Sequence, residues 1–168
     1  RTLYEAIQST WFTYVALNNE AWGAGPSLSR VDQYLYPFYQ ADKAAGRITD
    51  EDALEYLACF LIKQNGQFTV YSPPAAKIYG GLCCRLGNTI GGLKPDGTTA
   101  VNELSYLMLE AARFGLTEDI MVLTGQDTPQ DFLVEAVNGE LILSMNNRDI
   151  PDLKISREYA EMFQDYTG

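Results

Sequence analysis

The sequence predicts an α/β fold that is rich in helix and contains short parallel strands. Apolar residues recur at spacings of three and four over long stretches, which is the pattern of helices that bury one face. Two short apolar runs, residues 120–124 and 140–145, have the length of buried parallel strands. Helical and strand patterns alternate around these runs, and this order favours parallel pairing.

The first predicted helix spans residues 2–19, and a loop with two glycines and a proline follows at 22–29. We expect the aromatic residues of this helix to pack in the core rather than to line an aromatic pocket with Trp22. The apolar stripe consists of Leu3, Ala6, Ile7, Trp11, Tyr14, Val15 and Leu17.

Two more helices follow this loop. The second helix spans residues 31–45, with Pro37 either kinking or splitting it, and Gly46 ends it. Thr49 is the predicted N-cap of the third helix, because the acidic residues 50–52 favour the positive end of a helix.

After a predicted C-cap at Asn65–Gly66, the helical spacing of apolar residues stops. Residues 68–71 are prone to form a strand, two prolines interrupt it, and six glycines follow between positions 80 and 97. The segment 93–98, LKPDGT, has the composition of a turn. Helical spacing returns over residues 100–114.

The last third contains one more helix between the two predicted strands and another at the end. Thr128 and Pro129 open the first of these helices as N-cap and first helical residue, and Ser156 caps the second. There is no internal repeat or domain-splitting linker, so we predict that residues 1–168 belong to a single domain.

Composition excludes several classes of partner. A formal net charge of −10 repels phosphate backbones and anionic lipids, so we expect neither nucleic acid nor a membrane surface as a partner. No apolar run reaches the ~18 residues of a membrane span, and the first residues lack a signal-peptide pattern. We therefore expect a cytoplasmic location.

The chain contains no histidine, which removes the usual general base and the commonest metal ligand. Its three cysteines, Cys59, Cys83 and Cys84, form neither a CxxC motif nor an even-numbered framework. We therefore expect no metal site and no structural disulfide, and a reducing compartment fits best. Cys59 lies in an apolar helical run, so we expect it in the core.

Several long blocks resemble one enzyme family. RTLYEAIQSTWF opens the chain, SRVDQYLYPFYQAD and AGRITDEDALEYLACFLIK follow, and PDGTTAVNELSYLMLEAA and TPQDFL come later. These blocks look like glycyl radical enzymes of the pyruvate formate-lyase type, over nearly the whole chain. The resemblance implies part of a ten-stranded α/β barrel, in which a glycyl radical and a catalytic cysteine meet on central loops.

The resemblance also implies that the radical-bearing residues lie outside this sequence. In the family, a helix like ISREYAEMFQDY leads into a Gly-Cys pair whose cysteine forms the thiyl radical, and Gly168 stands where that glycine falls. Cys83 and Cys84 precede the NELSYL helix, whereas the radical cysteine of the family follows it, so we expect both to be structural residues on a barrel strand or its edge. We assign no catalytic residue to the chain.

Two loops that contact substrate in this family have lost polar groups here. Counting back from Arg30, Ala24 and Gly25 stand where radical dehydratases have the histidine and serine of a form such as ESNGHSISPGR. Leu123 and Gly125 replace the arginine and histidine of a family strand, LSVRVH. Alanine cannot deliver the proton that elimination of water requires. The resemblance therefore implies a more apolar substrate, decarboxylation or C–C chemistry, with pocket candidates Trp22, Ala24, Gly25, Ser27, Leu123 and Gly125.

Other polar or glycine-rich positions have simpler structural interpretations. Gly91 and Gly92 lack the spacing of a phosphate loop. Asn102 and Glu103 are expected to hold the barrel through hydrogen bonds, and Asp32 and Arg30 are expected to form a structural pair.

Three functional hypotheses follow. The first is a barrel and pocket segment of a glycyl radical lyase or acyltransferase-type enzyme, inactive alone. Its partners are then the remainder of the enzyme, a second subunit in a homo-oligomer, and an activating enzyme that installs the radical with an iron–sulfur cluster and S-adenosylmethionine. The second is a non-catalytic subunit or degenerate relative that acts by association. The third is an unrelated thiol enzyme that uses Cys83 or Cys84.

Overall fold

A computed structural model describes residues 1–20, 27–65, 72–74, 87–114, 120–138 and 143–144. These residues form five helices and four strands. The elements are α1 (Leu3–Glu20), β1 (Ser29–Arg30), α2 (Val31–Ala44), α3 (Asp50–Asn65), β2 (Asn88–Gly91), α4 (Glu103–Ala112), β3 (Ile120–Leu123), α5 (Gln130–Asn138) and β4 (Leu143–Ser144).

The four strands form one parallel sheet in the order β1-β2-β3-β4. This confirms the predicted α/β class with short parallel strands. Of the predicted strands, 120–124 is present as β3, and 140–145 contains the shorter β4. The sequence did not predict β1 or β2, because β1 has only two residues and β2 lies in a glycine-rich segment.

Helix α1 begins with a reciprocal capping arrangement between Thr2 and Glu5. The Glu5 amide donates to Thr2 Oγ1 at 3.2 Å, and the Thr2 amide donates to a Glu5 carboxylate oxygen at 2.9 Å. Trp11 and Tyr14 are buried in the core, as predicted. Leu17 is 47% exposed, so its assignment to the buried stripe was wrong. Asn18 takes the buried position instead, because it lies four residues after Tyr14.

Pro37 does not split α2, which continues from Val31 to Ala44 as one helix. Leu35 and Tyr39 flank the proline and are almost fully buried. Their packing offsets the backbone hydrogen bond that a proline removes from a helix. Gly46 follows the helix with φ of 64°, a conformation that favours glycine, which confirms it as the terminator.

Helix α3 starts as predicted. The Asp52 amide donates to Thr49 Oγ1 at 3.2 Å, and the Thr49 amide donates to Asp52 Oδ2 at 2.8 Å. The expectation for Cys59 was wrong, because its side chain is exposed. The buried stripe of α3 consists of Ala53, Leu57, Phe60, Leu61 and Gln64, and Cys59 lies on the other side of the helix.

Two later elements start after their predicted positions. Helix α4 begins at Glu103, because Asn102 and Ser105 form a capping box there. Helix α5 begins at Gln130, and the Thr128 hydroxyl accepts from the Gly125 amide at 2.7 Å. The predicted turn at 93–98 is present, with a hydrogen bond of 3.0 Å from the Gly97 amide to the Lys94 carbonyl.

Several sequence predictions lie outside the described residues, among them Gly66 of the predicted C-cap, the strand at 68–71, the positions of Cys83 and Cys84, and the final helix capped by Ser156.

Candidate functional site

The sheet has one face under the helices and one face turned away from them. Ile90 and Val122 pair in the sheet and are fully buried in the helical core. Side chains alternate along a strand, so the neighbouring residues point to the opposite face. The pairs Arg30–Thr89, Thr89–Met121 and Gly91–Leu123 occupy that second side. We call the face formed by Arg30, Thr89, Met121 and Leu123 the open face.

Two glycines shape the carboxyl end of β2. Gly91 and Gly92 have φ of 74° and 83°, and the Gly92 amide donates to the Leu123 carbonyl at 2.8 Å. A Cβ on Gly91 would lie 2.8 Å from that same carbonyl oxygen. A Cβ on Gly92 would lie 3.2 Å from the Leu123 Cβ. Glycine is therefore needed at Gly91, because a side chain would meet rigid backbone.

These glycine amides are already used within the fold. The Gly91 amide donates to Oδ2 of Asp32 at 2.7 Å, and the Gly92 amide donates to β3. Neither N–H is left to bind a phosphate group. This agrees with the interpretation that the segment is not a phosphate loop.

Asp32 is a buried carboxylate whose hydrogen bonds hold the carboxyl end of β2 in place. Its Oδ2 also accepts from the Ser105 hydroxyl at 2.5 Å. Burial raises the pKa of Asp32 above its ordinary value, while hydrogen bonds from Gly91 and Ser105 and the charge of Arg30 oppose that rise. Asp32 therefore joins the start of α2 to the end of β2 and the start of α4.

The structural pair expected between Asp32 and Arg30 is not a direct one. No ion pair joins the two side chains within the described part of the chain. Asn102 does hold the fold through hydrogen bonds, as expected, since its Nδ2 lies 3.4 Å from the Asp32 carbonyl oxygen. Glu103 contributes an ion pair of 3.5 Å with Lys43.

Arg30 lies at the carboxyl end of β1, and one of its three guanidinium nitrogens makes a hydrogen bond to a described residue. Nη1 donates to the Leu93 carbonyl at 2.9 Å. Nε and Nη2 are buried and have no hydrogen-bond partner among the described residues. The Cβ position of Gly92 lies 3.5 Å from Cζ of Arg30 and 3.3 Å from Cδ1 of Leu123. The guanidinium therefore lies beside the leucine of β3.

The predicted pocket residues are only partly brought together. Leu123 lies on the open face, and a Cβ on Gly125 would lie 2.9 Å from Cγ of Leu93, which covers this glycine. Ser27 is committed to the backbone, since its hydroxyl donates to the Gly87 carbonyl at 2.9 Å and accepts from the Ser29 amide at 3.1 Å. The remaining candidates, Trp22, Ala24 and Gly25, lie outside the described residues.

Sequence reasoning did not select Leu93 or Arg30 for this site. Leu93 is 38% exposed although it is apolar, and it follows the glycine pair directly. That position after a strand-ending glycine pair is a signal in the sequence, but it becomes meaningful only once β2 is recognised as a strand. Together, Arg30, Leu93, Leu123 and Gly125 bring one cation and an apolar wall to the ends of three adjacent strands.

The described residues contain no cluster of three or more acidic, histidine or cysteine side chains able to hold a metal ion. Within the same residues, no helix is long and apolar enough to cross a membrane.

Comparison with known proteins shows that the chain is similar to several enzymes of one family. The family described as "Pyruvate formate lyase-like" matches residues 1–147. The chain is 42% identical over 115 residues to an isethionate sulfite-lyase of Bilophila wadsworthia, which covers 67% of this chain and 14% of the relative. It is 38% identical over 143 residues to the 4-hydroxyphenylacetate decarboxylase glycyl radical subunit of Clostridioides difficile, which covers 81% of this chain and 15% of that protein.

A solved structure shares the fold. The crystal structure of a glycyl radical enzyme from Archaeoglobus fulgidus superimposes with a TM-score of 0.79 at 33% identity. The match covers 86% of this chain and 20% of that one. The chain thus spans between 14% and 20% of the length of these three proteins.

Proposed function

The chain belongs to the pyruvate formate lyase-like family of glycyl radical enzymes, and we propose that it forms part of the barrel and of the substrate-pocket wall of a radical C–C or C–X lyase. The proposed parent enzyme is decarboxylase-like or formate-lyase-like rather than a diol dehydratase that depends on histidine. The chain alone is proposed to be inactive. Membership of the family excludes the third hypothesis, an unrelated thiol enzyme.

The observation that carries this proposal is the apolar wall at the strand ends. Leu123 occupies the open face beside Gly92, and Leu93 covers Gly125. A site that reads hydroxyl groups needs hydrogen-bond donors and acceptors at such positions. Leucine and glycine side chains supply none, so this wall favours burial of carbon, which contributes about 25 cal/mol per Å² of apolar surface.

The radical chemistry is proposed to belong to the rest of the parent enzyme. The relatives are glycyl radical enzymes, so the parent would carry its radical on a glycine, installed by an activating enzyme with an iron–sulfur cluster and S-adenosylmethionine. The described residues of this chain would shape the pocket and exclude water. Homo-oligomerisation and a cytoplasmic location complete the proposal for the parent.

A non-catalytic subunit remains the second candidate function. In the sheet as described, β1 and β4 each pair on one side only. Open strand edges of this kind associate readily with other strands. A separately made chain with these edges would act by binding a partner that completes the sheet, and we expect the purified chain to be oligomeric or poorly soluble.

The test compares the chain alone with the full-length enzyme under anaerobic conditions. Each sample receives the activating enzyme, and turnover of a family substrate panel is measured next to the glycyl radical signal in electron paramagnetic resonance. We expect a radical and turnover only for the full-length enzyme. Sustained turnover by residues 1–168 alone would contradict the proposal. A full-length protein that forms no glycyl radical would favour the non-catalytic candidate.

A further inference from the structure

We propose that Leu93 is a specificity-determining residue of the substrate site, and that the turn at residues 93–99, rather than a strand of the sheet, presents it. This turn lies between β2 and α4. The inference rests on the proposed function, because it identifies the residue that selects the apolar body of the substrate. Leu93 would contact the substrate through its side chain, with no role in proton or hydrogen transfer.

The backbone of Leu93 is fixed by contacts on two sides. Its carbonyl accepts from Nη1 of Arg30 at 2.9 Å, and Leu93 forms an antiparallel bridge to Thr99. Next to this bridge, the Lys94 amide donates to the Thr98 carbonyl at 2.8 Å. Arg30 is therefore a positioning residue that acts through the Leu93 backbone, whichever substrate the site binds.

The rest of the turn is held by its own hydrogen bonds. Oδ1 of Asp96 accepts from the Thr98 amide at 3.0 Å and from the Thr98 hydroxyl at 2.7 Å. The Ala100 amide donates to the Gly92 carbonyl at 2.8 Å and closes the turn. Since these bonds already order the turn, binding of a substrate against Leu93 would not bear that entropic cost.

The side chain of Leu93 fills the space that a side chain at position 125 would need. A Cβ on Gly125 would lie 2.9 Å from Cγ and 3.2 Å from Cδ1 of Leu93. Gly125 does not have a positive φ, so its backbone conformation does not require glycine. The contact with Leu93 does require it, because two side chains cannot share this space.

Leu93 remains available to a ligand. Its side chain is 38% exposed although its backbone is fixed. Leu123 lies on the open face two residues before Gly125, so both leucines lie at the carboxyl end of β3. Burial of the remaining apolar surface of Leu93 favours an apolar ligand, and its side chain offers no hydrogen bond to a hydroxyl group.

The test uses full-length enzyme without its radical, so that binding is measured apart from chemistry. Isothermal titration calorimetry follows phenylacetate, which has an apolar body, and glycerol, which carries a hydroxyl group on every carbon. Leu93→Asn keeps the branched shape of the side chain and replaces its methyl groups by an amide. Leu17→Asn is the matched control, because Leu17 is a leucine of α1 that is 47% exposed.

We expect Leu93→Asn to weaken phenylacetate binding by roughly 5- to 30-fold, the value of burying part of a leucine side chain. Glycerol binding should stay the same or become stronger, because the amide can bond to hydroxyl groups. Leu17→Asn should leave the affinity for both ligands unchanged. The opposite response of the two ligands is a change in specificity, which a purely structural role of Leu93 would not produce.

Gly125→Ala tests the contact between positions 93 and 125. In the parent, the added methyl group displaces the Leu93 side chain, so we expect phenylacetate binding to weaken by roughly 3- to 30-fold. In the Leu93→Ala background the methyl group has room, and Gly125→Ala should change binding by less than about twofold. Equal effects of Gly125→Ala in the two backgrounds would contradict the inference.

The remaining outcomes separate the inference from the proposed function. If the parent binds phenylacetate and Leu93→Asn binds it equally well, Leu93 does not select the substrate, and the proposed function stands. If Leu93→Asn lowers the midpoint of thermal unfolding and weakens both ligands alike, Leu93 packs against the rest of the enzyme, and the inference is wrong. If the parent does not bind phenylacetate, both proposals are wrong. If Leu93→Asn does not fold, the same comparisons with Leu93→Ala decide.

Discussion

The Ser105 hydroxyl donates a hydrogen bond of 2.5 Å to Oδ2 of Asp32, a residue 73 positions earlier in the chain. The same oxygen accepts from the Gly91 amide at 2.7 Å. One buried carboxylate thus holds two helices and the end of a strand in a fixed arrangement. Gly91 and Gly92 precede Leu93 and lie against Leu123, and their position depends on this carboxylate.

Replacing Asp32 should lower the local stability of the carboxyl end of β2. Asp32→Ala leaves the Gly91 amide and the Ser105 hydroxyl buried without an acceptor, at a cost of about 1–3 kcal/mol for each group. We expect amide hydrogen exchange of residues 88–92 in the full-length enzyme to accelerate by about tenfold or more. Asp32→Asn keeps an acceptor oxygen and should have a smaller effect, and the exposed Asp127→Ala should have none. Equal exchange in Asp32→Ala and Asp127→Ala would contradict this role.

A pair of glycine substitutions separates backbone strain from steric contact. Gly91 and Gly46 both have positive φ, 74° and 64°. A Cβ would lie 2.8 Å from the Leu123 carbonyl oxygen at Gly91, and at Gly46 it would meet nothing within 4 Å. Gly46→Ala should lower the free energy of unfolding by about 1 kcal/mol through conformation alone.

Gly91→Ala should cost clearly more than Gly46→Ala, because β2 and β3 must separate to admit the methyl group. The midpoint of thermal unfolding of the two full-length variants measures the difference. Equal midpoints would mean that the strands move apart without cost, which the hydrogen bond from the Gly92 amide to the same carbonyl argues against.

Much of the fold was predictable from local pattern. The capped helices, the terminator at Gly46 and the parallel strand β3 follow from spacing and capping residues. Strand β2 was not predictable in this way, because its sequence NTIG has no alternation and its stability comes from pairing with β1 and β3. Cys59 shows the same limit, since a uniformly apolar run does not reveal which side of the helix faces the core.

The site was less predictable than the fold. Leu123 was selected from a family strand, and the structure adds its position on the open face. Leu93 and Arg30 belong to segments that are distant in sequence and meet only after β1, β2 and β3 pair, through the 2.9 Å contact of Nη1 with the Leu93 carbonyl. Such a juxtaposition is set by tertiary structure, so sequence spacing does not reveal it.

Asp42 makes the packing of α1 dependent on pH. Burial acts to raise the pKa of this carboxyl, but the Leu3 amide at 2.6 Å and the Arg47 guanidinium together hold its pKa below the ordinary value of 3.8. A lowered pKa in the folded state means that the ionised form stabilises the fold above pH 3.8. That contribution is lost as the pH falls through the folded pKa.

Asp42→Asn tests this dependence, because it keeps an acceptor for the Leu3 amide and removes the charge. The free energy of local opening of α1, from hydrogen exchange corrected for intrinsic rates, should be lower in the variant at about pH 6. The difference from the parent should shrink as the pH falls below 3.8. A difference that is constant with pH would show that the charge of Asp42 does not contribute.

Leu123 should contribute shape to the substrate site. Leu123→Ala removes apolar contact from the wall, so KM for an apolar acid should rise by roughly 10- to 100-fold, the value of a few buried methylene groups. Leu17→Ala on the exposed side of α1 is the matched control and should leave KM unchanged. Steady-state kinetics of the activated full-length enzyme measure both variants. An unchanged KM for Leu123→Ala would place the substrate elsewhere.

We propose that this segment supplies an apolar wall to a glycyl radical lyase that acts on an apolar acid. The most direct test of this proposal is kcat/KM of the activated full-length enzyme for phenylacetate, measured beside glycerol and propane-1,2-diol under the same conditions. We expect kcat/KM for the acid to exceed that for either polyol by about 100-fold or more. Efficient dehydration of glycerol or propane-1,2-diol, with no turnover of the acid, would contradict it.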